Sequence, residues 1–261
     1  MKTEGLTILI QGPLKEDSAC LDFIENYQKY GNVVISCYDD NHKGIKKVKN
    51  KFKDVGILRS NAEELTDSFS QGIGFSQNST FIWALHTMLR GFSDINSEYT
   101  LKVRSDEGYE YLDDFINIFL DNDKKIVCGN IFYKTPKSFE FGNYRLHMGD
   151  HIFIGKTKIL FEAVQNLYSM YLKRDSFKPD KTLYECDAFH CAETVLARSI
   201  LRQMNPEISK VANSDEEQKF FSDNILPYDT NRFKKFIARW DHADITFENS
   251  FDADFYENYR L

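Results

Sequence analysis

Through the first half of the chain, short apolar runs alternate with segments whose apolar residues recur at helical spacing. That alternation is the pattern of βαβ units, and it predicts an α/β fold with a mostly parallel central sheet flanked by helices. Thr7–Ile10 reads as a first buried strand ended by Gln11-Gly12-Pro13, and Leu21, Ile24 and Tyr27 mark a helix that stops at Gly31-Asn32. Val33–Tyr38 follows as a second strand closed by Asp39-Asp40, then a Lys-rich helix over Lys43–Lys53 and a third strand at Val55–Leu58. Residues 60–80 lack a period and read as a long loop. Phe81, Leu85, Met88, Leu89 and Phe92 fall on one face of an amphipathic helix.

Tyr99–Val103 is the next strand, with Arg104-Ser105-Asp106-Glu107 at its carboxyl end and a helix carrying Leu112, Phe115, Ile116 and Phe119 behind it. Ile126–Gly129 is a further buried strand. Beyond it the alternation loosens: Phe132–Tyr144 reads as hairpin or loop, Asp150–Gly155 as a strand, and Ile159–Leu172 and His190–Met204 as helices. No repeat or low-complexity tract divides the chain, so a single domain over residues 1–261 is expected.

Composition narrows the function classes. Aromatic residues make up 15% of the chain, with 22 Phe and 14 Tyr, which supplies a core without disulfide or metal staples. The formal charge is −7, and basic residues are scattered apart from Lys46, Lys47, Lys49, Lys51 and Lys53, so the footprint of a nucleic-acid binder is missing. Five Cys, odd in number and without a CxxC pair, point to a reducing, cytoplasmic compartment. No stretch approaches the roughly 18 apolar residues of a span, which leaves at most peripheral association with the inner face of a membrane.

The chain has no GxxxxGK[ST], GxSxG or HExxH, and Gly72-Ile73-Gly74 neither follows a strand nor continues to a third glycine. Attention turns to acidic residues at strand ends, because ligands of open α/β sheets bind outside the carboxyl ends of strands. Asp106 there can bind Mg²⁺ or Mn²⁺, and Arg104 can hold a phosphate or orient that carboxylate. Alternatively, Ser105 or Asp106 caps a helix beginning near Tyr109. Gln11, Asp39 and Asp40 can frame a nucleoside, or the two carboxylates can close a turn. Gln77-Asn78 precede a helix whose amides could accept phosphate, with capping as the plain alternative. Asp150 and His151 offer two ligands entering a strand, with a structural histidine beside an apolar strand as the alternative, and Glu193 lies in a helix's first turn, where the macrodipole favours a carboxylate in any case.

Taken together, Ile8–Leu14, Gln77 before an amphipathic helix, Leu101-Lys102-Val103-Arg104-Ser105-Asp106 and Gly149–Gly155 resemble the WavE family of lipopolysaccharide-synthesis proteins over roughly residues 6–200. The resemblance implies a GT-A-like glycosyltransferase in which Lys-x-Arg-x-Asp stands where Asp-x-Asp is usual. It further implies that residues 1–130 form the nucleotide-sugar-binding half and residues 131–261 the acceptor side. A UDP-, GDP- or CMP-linked donor would be bound by Gln11, Gly12, Asp39, Asp40, Gln77, Arg104 and Ser105. A divalent cation (Mn²⁺ or Mg²⁺) would sit on Asp106, with Asp150 and His151 as further ligands. Arg104 and Glu193 would be catalytic, Glu193 because Ala192-Glu193-Thr194-Val195-Leu196 resembles a family element. The acceptor would be an oligosaccharide or lipid-linked glycan of surface polysaccharide or lipopolysaccharide synthesis. The competing expectation is a non-catalytic nucleotide- or glycan-binding protein of the same fold.

Overall fold

The computed structural model describes residues 3–38, 42–61, 79–130, 133, 146–172, 192–208 and 214–237. Nine strands occur among them: β1 Leu6–Gln11, β2 Asn32–Tyr38, β3 Gly56–Ser60, β4 Tyr99–Arg104, β5 Gly108–Glu110, β6 Ile126–Gly129, β7 Ile152–Lys156, β8 Ile225–Tyr228 and β9 Lys235–Ile237. The helices are α1 Ile24–Tyr27, α2 His42–Lys51, α3 Ser79–Asp94, α4 Asp113–Leu120, α5 Thr157–Leu172, α6 Ala192–Met204 and α7 Asp215–Asn224.

Seven strands form one sheet in the order β3-β2-β1-β4-β7-β6-β8, and six of them run the same way. Strand β7 alone is reversed, antiparallel to both β4 and β6. The α/β architecture with a mostly parallel sheet is therefore present, and strands from both halves of the chain share it. Burial explains the apolar runs: every residue of β1 is buried, as expected of a strand covered on both faces. On one face Ile8, Ile10, Leu101 and Val103 pack with Tyr27, Val48 and Phe115. On the other, Leu9 and Phe153 pack with Leu85 and Met88 of α3, Leu167 of α5 and Val195 of α6.

Several boundaries differ from the sequence reading for physical reasons. The helix expected around Leu21–Tyr27 is a 3-10 turn at Ala19–Asp22 followed by the single turn α1. The helix expected near Tyr109 begins instead at Asp113, after Leu112. Residues 108–110 are drawn into β5 by antiparallel pairing with β9, and Tyr109 is fully buried. A capping role for Ser105 or Asp106 falls with that helix. The span 214–237, which shows no clear apolar period, supplies α7 and the sheet strand β8. The expected loop at 60–80 and the hairpin or loop at 132–144 lie mostly outside the described residues.

Candidate functional site

The chain runs from β1 outward to β2 and β3, then crosses back to place β4 on the other side of β1. The carboxyl ends of β1 and β4 thus flank a topological switch point, where an open α/β sheet leaves a crevice. Gln11 and Arg104 stand opposite one another there. Because β7 is reversed and Ile152 pairs with Val103, the residues that precede it, Asp150 and His151, arrive at this same edge.

Four sequence-predicted residues, Arg104, Asp106, Asp150 and His151, are thereby gathered into one charged network. The Arg104 guanidinium grips Asp106 with two parallel bonds, Nε to Oδ1 and Nη2 to Oδ2, both 3.0 Å. It also lies 3.6 Å from Glu107 Oε1 and 3.9 Å from Asp150 Oδ1. Lys102, wholly buried in mid-strand, donates to the backbone carbonyl of Asp150 and is 3.7 Å from its carboxylate. Its ammonium also lies over the Phe153 ring. Burial lowers the Lys102 pKa, a shift that Asp150 opposes. Burial would raise the Asp150 carboxyl, but Lys102 and Arg104 more than offset this and hold it well below the ordinary range.

Glu107 and Tyr109 carry no role in the sequence reading of the site. Its carboxylate is 0% exposed, with Oε1 2.5 Å from His151 Nδ1 while Oε2 accepts from the Tyr109 hydroxyl at 2.6 Å. Tyr27 Oη in turn accepts the Tyr109 amide at 3.0 Å. Burial alone would lower the His151 pKa, and Glu107 beside it reverses this, so the imidazole is held protonated above its ordinary range. Burial and Glu107 both push the Tyr109 hydroxyl well up, which keeps it a donor. A signal for Lys102 was present in the sequence, a charged residue inside an apolar strand. Glu107 looked like one more acidic residue in a turn.

Glu193, in the first turn of α6, is 3.5 Å from His147 Nε2. Its carboxyl would be raised by burial, but the hydrogen bond and charge of His147 bring it below the ordinary value. Asp150 acts electrostatically on Glu193, and His147 on Asp150, so this second pair lies within reach of the first network.

Other candidates face inward or fall elsewhere. Gln11 donates to Thr87 Oγ1 at 2.7 Å and ties β1 to α3. Ser105 is buried, its hydroxyl donating to the Pro13 carbonyl at 2.7 Å and its amide to Gln11 O at 2.9 Å. Gly12 has φ 121°, a left-handed conformation that strains a side chain, and a Cβ there would stand 3.0 Å from Ser105 Oγ. Asp39, Asp40 and Gln77 lie outside the described residues.

A hard divalent cation needs open oxygen ligands. Among the described residues no group of three or more His, Cys, Asp and Glu is arranged to hold one. Both Asp106 oxygens are occupied by Arg104, Glu107 is matched to His151, and Lys102 reaches Asp150 through Oδ2; Asp150 Oδ1, buried and without a hydrogen-bond partner among the described residues, is a single open oxygen, so this donor set does not fit the expected metal. No described helix is long and apolar enough to cross a membrane.

No family model and no curated protein matches the chain, so the likeness to the WavE family is not carried by any such match. Among solved structures, the chain is similar to the apo form of mouse xyloside xylosyltransferase 1. The match is 10% identical, covers 78% of this chain and 83% of that one, and has a TM-score of 0.41. No residue correspondence follows from a likeness at that level.

Proposed function

We propose that this chain is a nucleotide-sugar-dependent glycosyltransferase of GT-A-like fold, acting as a single domain on a glycan acceptor of surface polysaccharide or lipopolysaccharide synthesis at the cytoplasmic side. The observation that carries the reading is the convergence of Arg104, Asp106, Asp150 and His151 on the switch point between β1 and β4. A sheet edge that concentrates buried, mutually oriented charges is suited to hold developing charge without reorganisation. In this reading Arg104 faces the diphosphate, and Asp106 and Asp150 hold its guanidinium. Glu193, with His147 beside it, takes the proton of the attacking acceptor hydroxyl. Electrons of the acceptor oxygen form the new bond to the anomeric carbon while the carbon–oxygen bond to the nucleotide's terminal phosphate breaks and its electrons leave on that phosphate, as a nucleoside diphosphate from a UDP- or GDP-sugar and as CMP from a CMP-sugar.

Incubating the purified protein with UDP-, GDP- and CMP-sugars, with and without glycan acceptors, tests this directly. Transfer of the sugar, with release of the nucleotide, is the expected result. Binding of a nucleotide or glycan without turnover of any donor would instead favour a non-catalytic binding protein.

A further inference from the structure

We propose that the site engages a nucleoside diphosphate through the Arg104 guanidinium without a divalent cation, Asp106 serving to fix the plane of that guanidinium. The inference rests on the nucleotide-sugar reading above and departs from the expected metal. Three cationic side chains, Lys102, Arg104 and His151, are interleaved with three carboxylates, Asp106, Glu107 and Asp150. Each carboxylate already has a cation within 3.7 Å. A divalent ion on Asp106 would have to displace a bidentate guanidinium bond and then sit beside the displaced positive charge.

The same geometry prepares Arg104 for an anion. Asp106 takes Nε and Nη2, which locks the orientation of the planar fork. Among the described residues Nη1 donates no hydrogen bond, its nearest carboxylate oxygen being Asp150 Oδ1 at 3.9 Å. The side chain is 26% exposed at the carboxyl edge of β4, whereas Lys102 beneath it is fully enclosed. Arg104 is thus the cation of the network that both reaches the crevice and retains unused donors. A guanidinium so held can give two N–H groups to phosphate oxygens, a geometry that a lysine ammonium does not reproduce.

Calorimetric titration of UDP, GDP and CDP into the wild-type protein, in excess EDTA and in Mn²⁺, tests the proposal without depending on any variant. The expected result is one nucleotide preference with affinities equal within about twofold in the two media. Titrating Mn²⁺ alone should give no binding. Arg104→Gln should weaken the diphosphate roughly ten- to a hundredfold in both media, the range for losing charge-assisted hydrogen bonds. Arg104→Lys, which keeps the charge should Arg104→Gln fail to fold, should still bind more weakly than wild type. Asp106→Asn should leave binding in EDTA measurable. Nucleotide binding that requires Mn²⁺ and vanishes in Asp106→Asn would overturn the proposal while leaving the glycosyltransferase reading standing. No binding of UDP, GDP or CDP in either medium would overturn the proposal, and the same result with CMP would overturn the glycosyltransferase reading as well.

Discussion

Replacing Glu107 with Gln tests whether the buried network is a mechanical keystone of the site. The carboxylate is wholly enclosed and makes two short contacts, 2.5 Å to His151 and 2.6 Å to Tyr109, with Arg104 at 3.6 Å. Glutamine has nearly the same shape, but only one of its two terminal atoms accepts hydrogen bonds. It therefore keeps one contact without its charge and loses the other, a loss of about 1.5–3 kcal/mol for a hydrogen bond to a charged group. In a chain of this size that lowers Tm by roughly 3–12 °C. The pH dependence is a sharper readout. Because the folded-state pKa of His151 is raised, the stability it contributes is complete below the unfolded value of about 6.5 and is lost as pH rises through the higher folded value. Urea unfolding followed by circular dichroism, repeated from about pH 6 to about pH 9, should show wild-type stability eroding with alkalinity. The Glu107→Gln slope should be flatter, since the imidazole has lost the charge that held its proton. A variant as stable as wild type across that range, with the same slope, would refute the reasoning.

Three other substitutions probe neighbouring features. Gly108→Ala would place a Cβ 2.1 and 2.2 Å from two ring carbons of buried Phe23, and should cost about 1–3 kcal/mol in urea unfolding, partly recovered by Phe23→Leu. Lys102→Met should cost about 3–5 kcal/mol by leaving Asp150 without the cation beneath it. Adding Asp150→Asn should restore part of that loss in a double-mutant cycle. Glu193→Gln should cut kcat roughly 10²- to 10⁴-fold with donor affinity unchanged if the carboxylate takes the acceptor's proton. A fall below about tenfold would assign Glu193 to orienting His147 instead.

The sheet was legible in the sequence because its parallel strands are buried on both faces and read as unbroken apolar runs, as in Leu6–Gln11 and Ile126–Gly129. Strand β8 escaped because Ile225–Tyr228 contains Pro227 and follows a polar helix, so no apolar period announces it. Tyr109 was misplaced because its neighbours also suit a helix, and a partner as distant as Phe236 decided the matter. Of the site, Arg104 and Asp106 could be found from their place after a strand. What local pattern cannot reveal is that they bond to each other, or that Glu107 turns inward to His151. The second pairing depends on the reversal of β7, which is set by long-range register, and the first on side-chain rotamers that no residue pattern encodes.

That register also shapes how the molecule must assemble. As the chain leaves the ribosome, β1, β2, β3 and β4 can pair among themselves, but they leave β4 with one bare edge and Lys102 without its counter-ion until Ile152–Lys156 arrives. Strand β6 then waits much longer, since its second neighbour is Ile225–Tyr228 near the end of the described chain. An apolar strand with an unsatisfied edge invites pairing with other chains. The nascent protein therefore carries an unsatisfied apolar edge on β6 from synthesis of β7 until that of β8, and truncation before residue 225 should yield insoluble product even though every charged residue of the site is already present.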